Sequence, residues 1–148
     1  MYRLYFNGIS KGMLDNIGPC GCGGIIVDTK KIIYKNNIIS SYKQYLGIEN
    51  TNYAEFMGLL YGLKYAKELN IKNIEIFGNS KLVISRCCDP QYVNECNTNN
   101  TNNTKIKDIY DKIKNIENEF DTIEYYHIYE ENNYMANKLA NCSLKEYN

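Results

Sequence analysis

Tryptophan is absent, proline occurs twice and histidine once. The lone His127 excludes a cluster of imidazole ligands. The six cysteines, Cys20, Cys22, Cys87, Cys88, Cys96 and Cys142, include no Cys-x-x-Cys pair, so a zinc site is not expected. No apolar run approaches the roughly 20 residues of a membrane-spanning helix. The first residues, Met1-Tyr2-Arg3-Leu4-Tyr5, enter a strand-like pattern without the apolar core of a secretory signal. A cytosolic or nuclear-type reducing compartment is therefore expected, with reduced, mostly buried thiols and no disulfide framework. The sequons at Asn99, Asn102 and Asn141 are then without meaning. Net charge is absent too, with 17 basic against 17 acidic side chains. Residues 1–86 hold 11 basic and 6 acidic groups (+5), and residues 87–148 hold 6 and 11 (−5). Any basic stripe for nucleic acid must come from the first half; by charge alone these are solvated faces.

Asn, Ile, Lys and Tyr are abundant, in keeping with AT-rich codons, in which one G-to-A change turns Asp into Asn. The 148 residues suffice for one domain with a proper core.

Tyr2–Phe6 reads as a strand. Gly8 to Gly24 reads as a glycine-rich loop leading into a second strand at Gly23–Asp28. A third strand is expected over Lys31–Tyr45, hairpin-paired with the second through Asp28-Thr29-Lys30. The period then changes. Ala54, Met57, Leu60, Tyr61 and Lys64 trace one side of a helix, and Leu59, Leu63, Ala66 and Leu69 the adjacent side, predicting a helix over 52–69. Ile74–Phe77 reads as a short buried strand, and Lys81–Cys88 begins a helix capped by Ser80. The Asn-rich stretch at 89–104 reads as a solvated loop. Ile106, Ile109, Ile113, Ile116 and Phe120 recur at helical spacing, Thr122–Ile128 is strand-like, and a last helix carries Ala136, Leu139 and Ala140. This order predicts an α/β domain over 1–148, with a five-stranded mixed sheet: an antiparallel meander, then parallel strands joined by helical crossovers.

Four segments carry more than pattern. They are Asn7-Gly8-Ile9-Ser10-Lys11-Gly12 with the later Gly18-Pro19-Cys20-Gly21-Cys22-Gly23-Gly24, then Asn50-Thr51-Asn52-Tyr53-Ala54-Glu55, then Gly78-Asn79-Ser80-Lys81-Leu82-Val83, and finally His127 through Ala140 with Asn133, Ala136 and Asn137. In order and spacing they resemble the active-site segments of the ribonuclease H family, over about residues 2–145. The resemblance implies the ribonuclease H-like fold, in the short form without a basic handle or hybrid-binding domain. It also implies hydrolysis of the RNA strand of RNA–DNA hybrids with two Mg²⁺ or Mn²⁺ ions.

The family holds those ions with Asp, Glu, Asp and Asp. The matching positions here are Asn7, Glu55, Asn79 and Asn137, so three of the four carboxylates are amides. An amide offers one neutral carbonyl oxygen and cannot bridge two hard cations as a carboxylate does. Each Asn alone suits its place: a turn before Gly8, a helix start before Ser80, a first helical turn at 137. Together, at three matching positions, they read as lost carboxylates and no metal is expected, whether by drift or by deliberate inactivation. Glu130 stands where the family often has Arg. Asp15, Glu75, Asp121 and Glu131 are available as substitutes but occupy no motif position. Gly12, Asn52 and Ser80 match groups that contact ribose hydroxyls, the feature that separates RNA from DNA; turn and cap chemistry explains them equally well. His127 reads as structural, and most of the fifteen tyrosines as packing residues.

The expectation is a ribonuclease H-like protein that recognises RNA–DNA hybrid or RNA and is catalytically impaired. The alternatives are an active metal-dependent ribonuclease H and a protein-interaction module that reuses the fold.

Overall fold

The computed structural model describes residues 1–12, 17–30, 37–89 and 101–147. Five strands form one sheet: β1 (Tyr2–Ser10), β2 (Ile17–Asp28), β3 (Ile38–Asn50), β4 (Asn73–Gly78) and β5 (Thr122–His127), in the order β3-β2-β1-β4-β5. β1, β2 and β3 are antiparallel neighbours, while β4 is parallel to β1 and β5 to β4. Four helices complete the fold: α1 (Thr51–Glu68), α2 (Lys81–Cys88), α3 (Thr101–Glu117) and α4 (Tyr134–Ser143). This is the mixed sheet expected from the sequence.

The core lies between the sheet and α1, α2 and α3. Leu4 and Phe6 from β1 meet Phe56, Leu59 and Leu63 of α1, Ile76 of β4, Val83 of α2 and Ile113 of α3, all fully buried. α1 ends in a Schellman motif: Asn70 adopts φ 60°, its N–H donates to Lys67 O, and the Ile71 N–H donates to Ala66 O. Asn is one of the few side chains that tolerate this backbone.

Three expectations are corrected. First, Gly8–Gly24 is not a loop. β1 continues through Ser10, and β2 starts at Ile17, so the whole run Gly18–Gly24 is strand. The glycines there serve close approach. A Cβ on Gly8 would lie 2.2 Å from the Ala54 carbonyl carbon of α1, and one on Gly23 would lie 2.6 Å from the Ala140 nitrogen of α4. Second, β3 begins at Ile38 and runs to Asn50, five residues beyond Tyr45, because β2 starts early enough to pair with it through Ile17↔Asn50. The expected start of this strand, at 31–36, lies outside the described residues. A register shift between Cys20 and Gly21 faces Gly47 at φ 88°, a position that favours glycine. Third, residues 101–104 belong to α3 and not to the Asn-rich loop, whose residues 90–100 lie outside the described ones. The helix that carries the apolar period of Ile106–Ile116 begins one turn before it, since polar residues are readily accommodated in a first helical turn.

No described helix is long and apolar enough to cross a membrane.

Candidate functional site

The parallel pairing Phe6↔Gly78 sets the middle of β1 beside the C-terminal end of β4, so Asn7, within β1, and Asn79, just past β4, come next on neighbouring segments. The side-chain-free Gly8 lets α1 press its first turns against β1, which brings Glu55 to the same end. α4 packs across Gly23, the β2 partner of Asn7, and its N-terminal half carries Asn137 toward that end.

Asn7 is 2% exposed, and its Oδ1 accepts the Gly8 N–H at 2.8 Å. Asn79 Oδ1 accepts from Asn133 Nδ2 at 2.8 Å. Asn137 Nδ2 donates to Glu130 Oε1 at 2.6 Å, and Asn137 Oδ1 accepts from Asn141. All three amides are thus engaged within the protein.

Glu55 is 5% exposed, and its Oε2 has no hydrogen-bond partner. Burial pushes its pKa up from 4.5 to about 8, the Gly8 N–H pulls it down, and the nearby charge of Glu130 raises it further. Burial thus favours the protonated, uncharged form of the carboxyl.

Two residues not counted as site groups from the sequence tie this region together. Asn133 precedes α4 without capping it. Its Nδ2 instead bridges Phe6 O at 2.8 Å and Asn79 Oδ1, clasping β1, the end of β4 and the start of α4. Its Oδ1 is buried without a partner. Glu130, read from the sequence only as a charge reversal, lies beside both Asn137 and Glu55. The signal for Asn133 was its place in the fourth motif segment, which was quoted for the resemblance without a role for this residue.

Of the other candidates, Gly12 follows β1, Asn52 is exposed in the first turn of α1, and Ser80 caps α2, its Oγ accepting the Val83 N–H at 3.2 Å. They sit on three elements around the same end of the sheet. His127 closes β5, its ring edge-on to Tyr129 at 5.8 Å. Among the possible substitute carboxylates, Glu75 is held by Arg3 at 3.1 Å, Asp121 precedes β5 at the opposite end of the sheet, and Asp15 lies outside the described residues.

Among the described residues, no group of three or more His, Cys, Asp or Glu side chains is arranged to hold a metal ion. A cavity of about 590 Å³ lies away from this region, lined by Cys87, Lys114, Glu117 and Tyr125.

A family model described as reverse transcriptase-like matches residues 9–143. The span includes Glu55, Asn79 and Asn137 and starts two residues after Asn7. The ribonuclease H1 of the halophilic archaeon Halobacterium salinarum is 24% identical, with a TM-score of 0.78 over 98% of each chain. The N-terminal ribonuclease H domain of a Mycobacterium tuberculosis protein is 23% identical, with a TM-score of 0.80 over 98% of this chain and 94% of that one. LC11 ribonuclease H1, solved in complex with an RNA/DNA hybrid, is 24% identical, with a TM-score of 0.76 over 99% of each chain. No curated protein matches the chain by sequence.

Proposed function

Because this chain belongs to the reverse transcriptase-like family, we propose that it binds an RNA–DNA hybrid or RNA at the end of the sheet carrying Asn7, Glu55, Asn79 and Asn137, and that it is impaired in cutting it. A fold neighbour was solved with a hybrid bound, which supports the ligand class. The impairment rests on one observation: the donor set is one buried carboxyl and three amides already engaged by Gly8, Asn133, Glu130 and Asn141. Two Mg²⁺ ions need anionic oxygen, above all one carboxylate shared between them. These residues do not fit that pair. Asn7 supplies no charge, and burial disfavours the charged form of the Glu55 carboxyl.

Gly12, Asn52 and Ser80 are the groups we assign to ribose recognition, through backbone and side-chain polar contacts. We also assign the protein to a reducing compartment, in which the buried thiols of Cys20, Cys22 and Cys87 would stay reduced.

A second reading, residual metal-dependent cleavage, has Glu130 in its favour: it places a second carboxylate beside Glu55. One experiment separates the readings. A labelled RNA–DNA hybrid is incubated with the pure, mass-verified protein, with and without Mg²⁺ or Mn²⁺, and run on native and denaturing gels. A shifted but intact hybrid is expected. Robust cleavage would falsify the impairment. Neither shift nor cleavage would favour the protein-interaction module. Mass verification guards against deamidation at Asn7-Gly8, which would put aspartate at that position.

A further inference from the structure

β5 is the last strand of the sheet, with β4 on one side and, among the described residues, no strand on the other. We propose that this free edge docks an extended peptide strand of a partner protein, one that presents a basic and an aromatic side chain two residues apart. The inference stands independently of the nucleic-acid reading above.

The backbone carries the first part of it. The Thr122 N–H donates to Lys72 O and the Ile128 N–H to Gly78 O, so the even-numbered residues of this stretch bond toward β4. Successive residues of a strand direct their peptide groups to opposite edges. The N–H and C=O groups of Ile123, Tyr125 and His127 therefore point outward, a row that templates a further strand.

A groove follows the same edge. The cavity of about 590 Å³ is bordered by both faces of β5, with Ile123 and Tyr125 on the helix side and Glu124 and Tyr126 on the open side. Its size is that of a ligand site rather than a packing defect. A strand added to the edge would alternate its side chains between the same two faces.

The side chains name the occupant. Register lines up two rows across the face of the sheet turned away from α1, α2 and α3. One row is Tyr5, Phe77 and Tyr126, and the other is Arg3, Glu75 and Glu124. The rings are stacked, with centroids 5.0 and 5.1 Å apart and planes 16° and 20° apart. That spacing is close to the roughly 4.7–4.9 Å between neighbouring strands. Tyr126, 39% exposed, ends the stack at the edge, so the next rung belongs to the next strand. The charged row runs plus, minus, minus. Arg3 holds Glu75 at 3.1 Å, while Glu124 accepts from the Tyr126 hydroxyl and has no cationic partner among the described residues. Carboxylates directly opposite one another are unfavourable, and a cation on the next strand relieves them. In the groove Lys114 is already paired with Glu117 at 3.2 Å, which leaves Asp121 and Glu124 unbalanced.

β1 shows how such a rung is filled. Arg3 pairs with Glu75, its guanidinium 5.3 Å from the Phe77 centroid, and Tyr5 stacks on Phe77 while Leu4 between them turns into the core. The docked strand repeats this arrangement one place out: a cation beside Glu124, a ring beside Tyr126, and between them an apolar residue on the side of Tyr125.

The test uses the full chain and short capped peptides centred on Arg-Leu-Tyr or Tyr-Leu-Arg, the orders that a parallel and an antiparallel strand require. Backbone-amide NMR follows binding. At least one order is expected to shift the signals of Ile123, Tyr125 and His127. The same peptide with glutamate for arginine is expected to bind about threefold or more weakly. Glu124→Lys should reverse that preference, and Tyr126→Ser should weaken binding by about threefold or more. Both positions are exposed, and an unchanged spectrum elsewhere checks that each variant is folded. Methylating the peptide's backbone nitrogens at alternate residues should abolish binding in one of the two sets and spare it in the other, since only one edge of the docked strand faces β5. No shift along β5 with either order, equal binding of the glutamate peptide, an unchanged preference in Glu124→Lys, full binding to Tyr126→Ser, or equal behaviour of the two methylated sets would each overturn the proposal.

Discussion

At the scale of single residues, Glu55 is a buried carboxyl with no cationic side chain among the groups that set its pKa. Its folded pKa of about 8 stands above the 4.5 of an unburied glutamate. The folded state therefore holds its proton more tightly than the unfolded chain. The associated stability is fully present below pH about 4.5, declines as pH rises, and is lost once pH passes about 8. The slope from one proton is at most about 1.4 kcal/mol per pH unit. Glu55→Gln keeps the shape and removes the titration. Its melting temperature, relative to wild type, should rise between pH 5 and 8 and level off above; parallel pH profiles for the two proteins would refute the burial argument.

Introducing Asn7→Asp, Asn79→Asp and Asn137→Asp together acts in the opposite sense. A pair of carboxylates about 4 Å apart at an effective dielectric near 20 repels by on the order of 4 kcal/mol before relaxation and protonation reduce it. The triple variant should melt lower than wild type in EDTA and recover in millimolar Mg²⁺, as a ligand bound only by the folded state requires. Wild type should melt at nearly the same temperature in both. Aspartate at 137 would also face Glu130, which now accepts from Asn137, so any regained cleavage should stay limited. Absence of a Mg²⁺-dependent rise in the triple variant would mean that the four positions do not converge on one site.

At the scale of elements, the sequence was most legible where its periodicity was unmixed. The apolar spacing of α1 and the Ser80 cap of α2 located both helices within a residue. The run from Gly18 to Gly24 was misread because glycine leaves no side-chain pattern. What its glycines Gly21 and Gly23 reveal, close approach of α4, as Gly8 reveals that of α1, is a tertiary property that no local window contains. Asn133 was seen as a motif position, but its bridging role was not legible for a related reason: its bond to Phe6 O joins residues 127 apart in sequence. Gly8→Ala tests the close approach. Its methyl would meet backbone of α1 at 2.2 Å, with no flexible side chain to yield. The loss should reach about 3 kcal/mol or more, at or beyond the upper end of ordinary overpacking, read by urea denaturation. Gly47→Ala, where nothing lies within 4 Å, should show only the smaller strain of its positive φ.

At the scale of the whole molecule, neutrality limits how strongly a polyanion is held. With the basic excess confined to residues 1–86, few phosphates can be neutralised. A log–log salt slope of magnitude about 2–4 is expected for hybrid binding, taking roughly 0.9 per phosphate on B-form duplex as a guide. Asn52→Ala should weaken hybrid more than DNA duplex. Equal affinity for hybrid, DNA duplex and an unrelated polyanion would sink ribose recognition.

The clasp at Asn133 also has a bearing on how the chain emerges from the ribosome. All five strands are complete by His127, before the residue that ties β1, β4 and α4 together has been made. Domains form largely from the N-terminus during synthesis. A nascent chain can therefore assemble the sheet and its three-helix side while the groove awaiting α4 stays floored by Gly21 and Gly23. That floor offers a waiting chaperone, or a neighbouring nascent chain, bare peptide where a sheet face would ordinarily present side chains. At Gly21 and Gly23 the vacancy is poor in sticky surface, so under the second half of α4 the delay between the last strand and the last helix is a tolerable one.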